Sequence, residues 1–178
     1  MERDIWLAII GVMGTLLGTI LGWLLNSLSS KGNLSIYLTH WTHTFNFFGD
    51  GLKGLEKKDR VKYFNFIITL DIYNSSDSTK ILRNIKIEFK RFNELIYTIT
   101  PKNNKTERYS AASYHYDSVE PINVPPKTII QYSFRESIDI QNNFPNLWDC
   151  TNIWLSYLNE DNKRKQTILR KNILFKIE

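Results

Sequence analysis

The sequence predicts an all-β fold, an immunoglobulin-like antiparallel β-sandwich, preceded by one N-terminal transmembrane α-helix. The first observation is an uncharged stretch from Ile5 to Leu25, which as a helix would span about 32 Å, close to a bilayer's hydrocarbon core. The second is that hydrophobic and polar residues alternate with a period of two after this stretch, as in half-buried strands. These features divide the chain into a short tail (1–4), a transmembrane helix (5–28), a linker (29–33) and a sandwich domain (34–178).

Two tryptophans, Trp6 and Trp23, lie near the ends of the apolar stretch, as is typical of the two membrane interfaces. A cleaved signal peptide is the alternative interpretation, since Ser27 and Ser29 could form a small-residue cleavage site. The stretch is longer than the usual signal core, however, and the residues before it carry no positive excess. We therefore expect a retained anchor in the cell membrane, crossing it once.

Three glycines of the anchor, Gly14, Gly18 and Gly22, recur every fourth residue, and Gly11 precedes them. This spacing places all four on one face of a helix with few large side chains. Small residues let two membrane helices approach closely. This face predicts either self-association of the helix, giving a homo-oligomer, or docking on another membrane helix. The residues predicted to pack are Gly11, Gly14, Gly18 and Gly22.

The charges flanking the anchor indicate which side of the membrane holds the domain. The four residues before it carry one positive and two negative side chains, whereas basic residues are in excess after it. The positive-inside tendency then predicts that the β-domain is cytoplasmic. The single cysteine, Cys150, excludes an intrachain disulfide and is compatible with either side.

The alternation predicts about seven strands and leaves two prominent loops, Gly49–Arg60 and Pro101–Pro126. Because no glycine follows Gly54, we expect the turns to use Asn, Asp, Ser and Pro. We expect a short helix or an irregular crossing between Ile138 and Cys150. The predicted strands lie near residues 34–39, 62–72, 84–89, 95–99, 128–134, 151–158 and 165–177, with turns at 74–78, 92–94 and 159–162.

No catalytic or cofactor motif stands out, so we expect a protein that is not an enzyme and needs no cofactor or metal. His40 and His43 are three residues apart, which in a strand places them on opposite faces and prevents shared metal ligation. His115 with Asp117 and a nearby serine, Ser110 or Ser113, could be written as a hydrolase triad. The nucleophile elbow and glycine-rich oxyanion turn that such an enzyme needs are missing.

Basic residues cluster at three places in the domain, and such clusters can contact anionic lipids or nucleic acid. Acidic residues are interleaved throughout, which favours an ordinary solvated surface. Because the anchor places the domain beside a bilayer, membrane lipid is an expected partner, whereas nucleic acid is not. The clusters are 57–62, 102–108 and 163–171.

The helix GTLLGTILGWLLNSLSSKG, followed by the β-segments LDIYNSSDSTKILRNIKIEF and INVPPKTIIQYSF, resembles small membrane-anchored proteins of lactic-acid bacteria and their prophages. Some of these act in abortive infection or superinfection exclusion. The resemblance implies phage resistance by a membrane protein and assigns no functional residue.

Together these observations predict a non-enzymatic single-pass membrane protein of bacterial defence against phage. The sandwich would recognise an unknown phage or host protein, and the helix would assemble the chains. The alternative is an accessory interaction subunit of a larger membrane complex, such as a transporter.

Overall fold

The computed structural model describes residues 2–30, 32–47, 60–143, 146–173 and 175. It begins with one long helix, α1 (Glu2–Ser30), which includes the predicted tail and the first linker residues. Residues Arg3–Leu28 are long and apolar enough to cross a membrane, with a mean hydropathy of 2.1. None of that apolar stretch is buried against the protein, so its side chains are available to lipid or to another helix.

Eleven strands follow within the described residues, with one short helix, α2 (Ile140–Asn143), and two single 3₁₀ turns at Asn104–Thr106 and Leu147–Asp149. In chain order the strands are β1 (Leu34–Phe47), β2 (Val61–Asn74), β3 (Lys80–Arg91), β4 (Glu94–Ile99), β5 (Lys102–Asn103), β6 (Arg108–Ser110), β7 (Ser113–His115), β8 (Ile122–Val124), β9 (Ile129–Asp139), β10 (Asn152–Leu158) and β11 (Arg164–Arg170).

The long strands form two antiparallel sheets that face each other. The first sheet has the order β1-β2-β9-β5, and the second has the order β11-β10-β3-β4, with β8 also paired to β3. Strands β6 and β7 make a separate small hairpin. This arrangement confirms the predicted all-β, immunoglobulin-like sandwich behind an N-terminal apolar helix.

The core lies between the two sheets and follows directly from the alternation in the sequence. In β2 every second residue from Phe64 to Ile72 is at most 1% exposed, because successive side chains of a strand point to opposite faces. Phe89 of the second sheet packs against Phe64 and Phe66, with ring centroids 6.0 and 5.8 Å apart. These edge-on aromatic contacts join the two layers.

Three segments differ from the sequence prediction or refine it. Residues 101–126 are not one loop, because β5 to β8 lie within them. The last strand ends at Arg170, and Asn172 just beyond it has a positive φ of 54°, which breaks the extended backbone. Residues 174, 176 and 177 of the longer predicted strand lie outside the described residues. The expected irregular crossing is a short helix followed by a 3₁₀ turn. Most of the predicted Gly49–Arg60 loop lies outside the described residues.

The connection between α1 and the sandwich is tightly held. Gly32 packs against the β2–β3 turn so closely that an added Cβ would lie 2.5 Å from Ser76 Cα and 2.6 Å from Ser75 C. Asn33 N–H donates to Ser75 Oγ (2.9 Å), and Asn33 C=O accepts from Ser75 N–H (3.1 Å). The helix therefore joins the sandwich at the end that carries the β2–β3 turn.

Candidate functional site

The glycine face of α1 is open along its whole length. A Cβ added at any of the four predicted packing residues would meet nothing within 4 Å. Thr15 Oγ1 donates to the carbonyl of Gly11 at 2.9 Å, and Thr19 Oγ1 donates to that of Thr15 at 2.8 Å. The threonine hydroxyls are thus satisfied within the helix, which leaves a smooth face on which a second helix can pack.

The two histidines of β1 lie on opposite faces of the strand. His40 is exposed on the outer face, opposite Thr69, whereas His43 lies among core rings opposite Phe66. His43 Nδ1 accepts a hydrogen bond from Trp41 Nε1 at 3.2 Å. The two imidazoles therefore cannot share one ion.

The residues of the hypothetical triad are close in space but wrongly paired. His115 Nε2 lies 2.9 Å from Ser113 Oγ and 3.2 Å from the carbonyl of Ser110. Asp117 instead forms an ion pair with Arg108. Without a carboxylate to orient the imidazole, this arrangement does not have the geometry of a triad.

These residues belong to a projecting hairpin, β6–β7, which carries two exposed tyrosines. The rings of Tyr109 and Tyr114 lie 5.1 Å apart and are 66% and 62% exposed. The turn between them places Ala111 and Ala112 at φ values of 49° and 61°, a conformation that two-residue hairpin turns require and that suits glycine or asparagine better. The sequence indicated the tyrosine cluster but not the hairpin that displays it.

The base of this hairpin is fixed to the first sheet. The guanidinium of Arg135 lies 4.1 Å from the centroid of the Tyr116 ring, and Arg135 also pairs with Glu107 at 3.3 Å. Asp117 N–H donates to Thr106 Oγ1 at 2.9 Å. The tyrosine pair is therefore displayed on a rigid support, the usual arrangement of recognition elements on a sandwich.

A second polar cluster, which the sequence did not indicate, lies on the outer face of the second sheet. Glu88 of β3 is 1% exposed there. Its carboxylate lies 3.1 Å from Lys90 Nζ, accepts from Gln166 Nε2 at 3.0 Å, and pairs with Arg164. Lys90 also packs on the ring of Trp154, with Nζ 4.5 Å from its centroid.

Burial alone would raise the pKa of Glu88, but hydrogen bonds from Lys90 and Arg164 outweigh it, so the pKa lies below its ordinary value. Glu88 is thus held as a carboxylate, and every charged group of the cluster has an opposite charge beside it. This complete pairing is typical of a structural network rather than of a catalytic acid.

Cys150 lies in the core and is 2% exposed. Burial raises the pKa of its thiol to about 11. Because only the thiolate is a nucleophile, a thiol with this raised pKa is unreactive at neutral pH. Cys150 therefore has the environment of a small apolar core residue.

Comparison with known proteins finds one similar sequence and several solved structures of low similarity. The SPbeta prophage-derived uncharacterized protein YopI of Bacillus subtilis strain 168 is 32% identical over 124 residues, which cover 67% of this chain and 70% of that protein. A crystal structure from Archaeoglobus fulgidus has a TM-score of 0.41 at 9% identity, covering 79% of this chain and 99% of that one. The putative ApaA protein of Bordetella pertussis has a TM-score of 0.38 at 9% identity, with coverages of 80% and 93%.

The relative's origin in a prophage supports the phage association that the sequence resemblance implied. Residues 32–170, which begin just after α1 and end with β11, match the family described as the YopI Ig-like domain. The chain belongs to this family, the YopI Ig-like domain family.

Proposed function

We propose that this protein is a non-enzymatic, single-pass membrane protein that protects a bacterium against phage, by exclusion or abortive infection. The observation that carries the proposal is the prophage origin of its relative YopI. Prophages benefit when their host resists a second phage, and a sandwich tethered by one helix is suited to recognition rather than to catalysis.

In this proposal the recognition element is the β6–β7 hairpin. Tyrosine rings supply large, rigid contact area at a small cost in conformational entropy, and they are frequent among the residues that dominate binding energy. Tyr109 and Tyr114 are both more than 60% exposed and form the middle pair of a hairpin whose base is fixed. The partner is a phage or host protein.

Assembly through α1 is the second part of the proposal. The open glycine face supports close approach of a second helix, and the short connection at Gly32–Asn33 would transmit that approach to the sandwich. Association of helices in the membrane of an infected cell would compromise that membrane or block the entry of phage DNA.

Efficiency of plating tests the proposal. Cells that express the protein are challenged with a broad panel of phages, and we expect plating to fall for at least one phage. The double variant Tyr109→Ala/Tyr114→Ala should restore plating. Tyr37→Ala, which removes a 59% exposed tyrosine from β1, is the matched control and should retain protection. Unchanged plating across the panel would contradict the proposal.

A further inference from the structure

A polar cavity of about 410 Å³ opens at the end of the sandwich that joins α1, within the size range of ligand sites. Gly32 and Asn33, the residues just after the helix, form part of its wall. The opposite wall is the first part of β11, and the β10–β11 turn supplies Asn159 and Glu160. The cavity therefore lies between the start of β1, the edge strand of the first sheet, and β11, the edge strand of the second sheet.

Its position relative to the membrane follows from the length of the helix. Twenty-nine residues give about 44 Å, close to the thickness of a bilayer including its headgroups. The last residue of α1, Ser30, would then lie at the outer limit of the headgroups. Since Gly32 is two residues further, the cavity opens at the membrane surface.

The cavity carries a net positive charge. Lys80 and Lys165 both line it, against one carboxylate, that of Glu160. Lys80 Nζ lies 2.6 Å from the Glu160 carboxylate. Burial raises the pKa of Glu160, but this hydrogen bond, a backbone hydrogen bond and the charges of Lys80 and Lys165 together lower it below the ordinary value. Lys165 is exposed and has no carboxylate within ion-pair distance among the described residues, although its charge also acts on Glu160. Two lysines against one carboxylate leave the cavity with one net positive charge.

A tyrosine side chain lies on the same face of the sheet as Lys165. Tyr157 of β10 is 6% exposed and lines the cavity, yet its hydroxyl makes no hydrogen bond with any residue that the structure describes. Tyr157 and Lys165 are directly opposite in the β10–β11 pairing, so their side chains lie on the same face. A tyrosine hydroxyl can donate one hydrogen bond, and an anionic oxygen beside Lys165 would accept it.

We propose that this cavity binds the phosphate of an anionic phospholipid headgroup, which Lys165 and Tyr157 contact. The assignment rests on the proposed insertion of α1 in the membrane. Amide and hydroxyl side chains at Asn33, Asn159 and Thr167 suit a headgroup with hydroxyls, and phosphatidylglycerol is therefore the probe. Binding there would fix the sandwich upright on the membrane.

Native mass spectrometry of the full chain in detergent, with phosphatidylglycerol added, tests this assignment. We expect one retained lipid, with occupancy reduced about tenfold by Lys165→Glu and less by Tyr157→Phe, in line with loss of a charge-assisted and a neutral hydrogen bond. Lys171→Glu, which reverses an exposed charge beyond the far end of β11, is the matched control and should retain the lipid. Tyr157→Phe removes one oxygen only, so its effect is readable even if Lys165→Glu fails to fold.

Two further arms identify the source of the phosphate. Equal retention of phosphatidylcholine, or undiminished phosphatidylglycerol in both cavity variants, would overturn the proposal. Displacement of the lipid by inorganic phosphate would assign the site to a soluble anion and would also overturn it. A chain that is recovered from membranes and lowers plating, but retains no lipid, contradicts this inference alone and leaves the proposed function standing.

Discussion

At the scale of single residues, sequence spacing placed the apolar side chains correctly but did not reveal which polar ones are buried. The segment Asn74–Ser78 was predicted as a turn because it is rich in Asn, Ser and Asp, and it is one. The burial of Asn74, at 0% exposed, could not be predicted, because it depends on the β8–β9 connection, which is distant in sequence.

The first prediction concerns the amide of Asn74. Its Nδ2 donates to the carbonyls of Ser78, Val124 and Pro125 at 2.7, 2.9 and 3.1 Å, and its Oδ1 accepts from Ser76 N–H. Asn74→Ala would leave several buried backbone groups unpaired and should lower the free energy of unfolding by about 3 kcal/mol. Urea unfolding of the full chain in detergent, followed by tryptophan fluorescence, measures the change.

The matched control for this measurement is Asn46→Ala, because Asn46 is exposed near the end of β1 and should alter stability by less than about 0.5 kcal/mol. Equal effects of the two substitutions would show that the Asn74 amide does not hold the β2–β3 turn and the β8–β9 connection together.

The second prediction concerns pH. Because the pKa of Glu88 in the folded protein lies below its ordinary value of 4.5, the network contributes stability above that pH and loses it as pH falls through the folded pKa. Unfolding curves measured from neutral pH down to strongly acidic pH should therefore show a smaller acid loss for Glu88→Gln than for the unmodified chain. Parallel acid profiles would mean that the carboxylate is not selectively stabilised by Lys90 and Arg164.

The third prediction concerns Cys150. A thiol whose pKa is raised to about 11 is almost entirely protonated at pH 8, so maleimide should react with the native protein far more slowly than with the urea-unfolded one. Ser137→Cys, at an exposed position on β9, provides the comparison and should react rapidly in the native state. Comparable native rates at both positions would place Cys150 outside the core.

At the scale of elements, the period-two alternation predicted the long strands because each has one face in the core. It failed for residues 101–126, since β5 to β8 have two or three residues each, too few for a period to appear. The expectation that Asn, Asp, Ser and Pro make the turns held only in part, because Phe92, Ala111, Ala112 and Lys127 also adopt positive φ. Because no glycine follows Gly54, other residues must occupy these positions.

The fourth prediction concerns α1. Gly18→Ile places a branched side chain in the centre of the open glycine face and should reduce the detergent-solubilised oligomer to monomers, because two backbones could no longer approach closely. Leu17→Ile changes the lipid-facing side and should leave association intact. Crosslinking in membranes, followed by light scattering in detergent, distinguishes the oligomer from the monomer. An unchanged oligomer in Gly18→Ile would contradict the packing role of this face.

At the scale of the whole molecule, the structure combines an exposed apolar helix, a Gly32–Asn33 segment packed on the β2–β3 turn and a sandwich of the YopI Ig-like domain family. The sequence predicted this order because an uncharged helix and alternating strands have distinct periods. The sequence could not predict the cavity beside this segment. Its walls come from residues 32–34, 80, 157, 159–160 and 165–167, which meet only once the sheets are packed.

The fifth prediction concerns the side of the membrane on which the sandwich lies, and it tests the central claim most directly. Cells expressing Ser137→Cys are treated with a membrane-impermeant maleimide, intact and after lysis, while the unmodified chain reports any labelling of Cys150. We predict that the protein is in the membrane fraction and is labelled only after lysis, which would place an anchored sandwich in the cytoplasm. Labelling in intact cells, or recovery of the chain in the soluble fraction, would contradict this account.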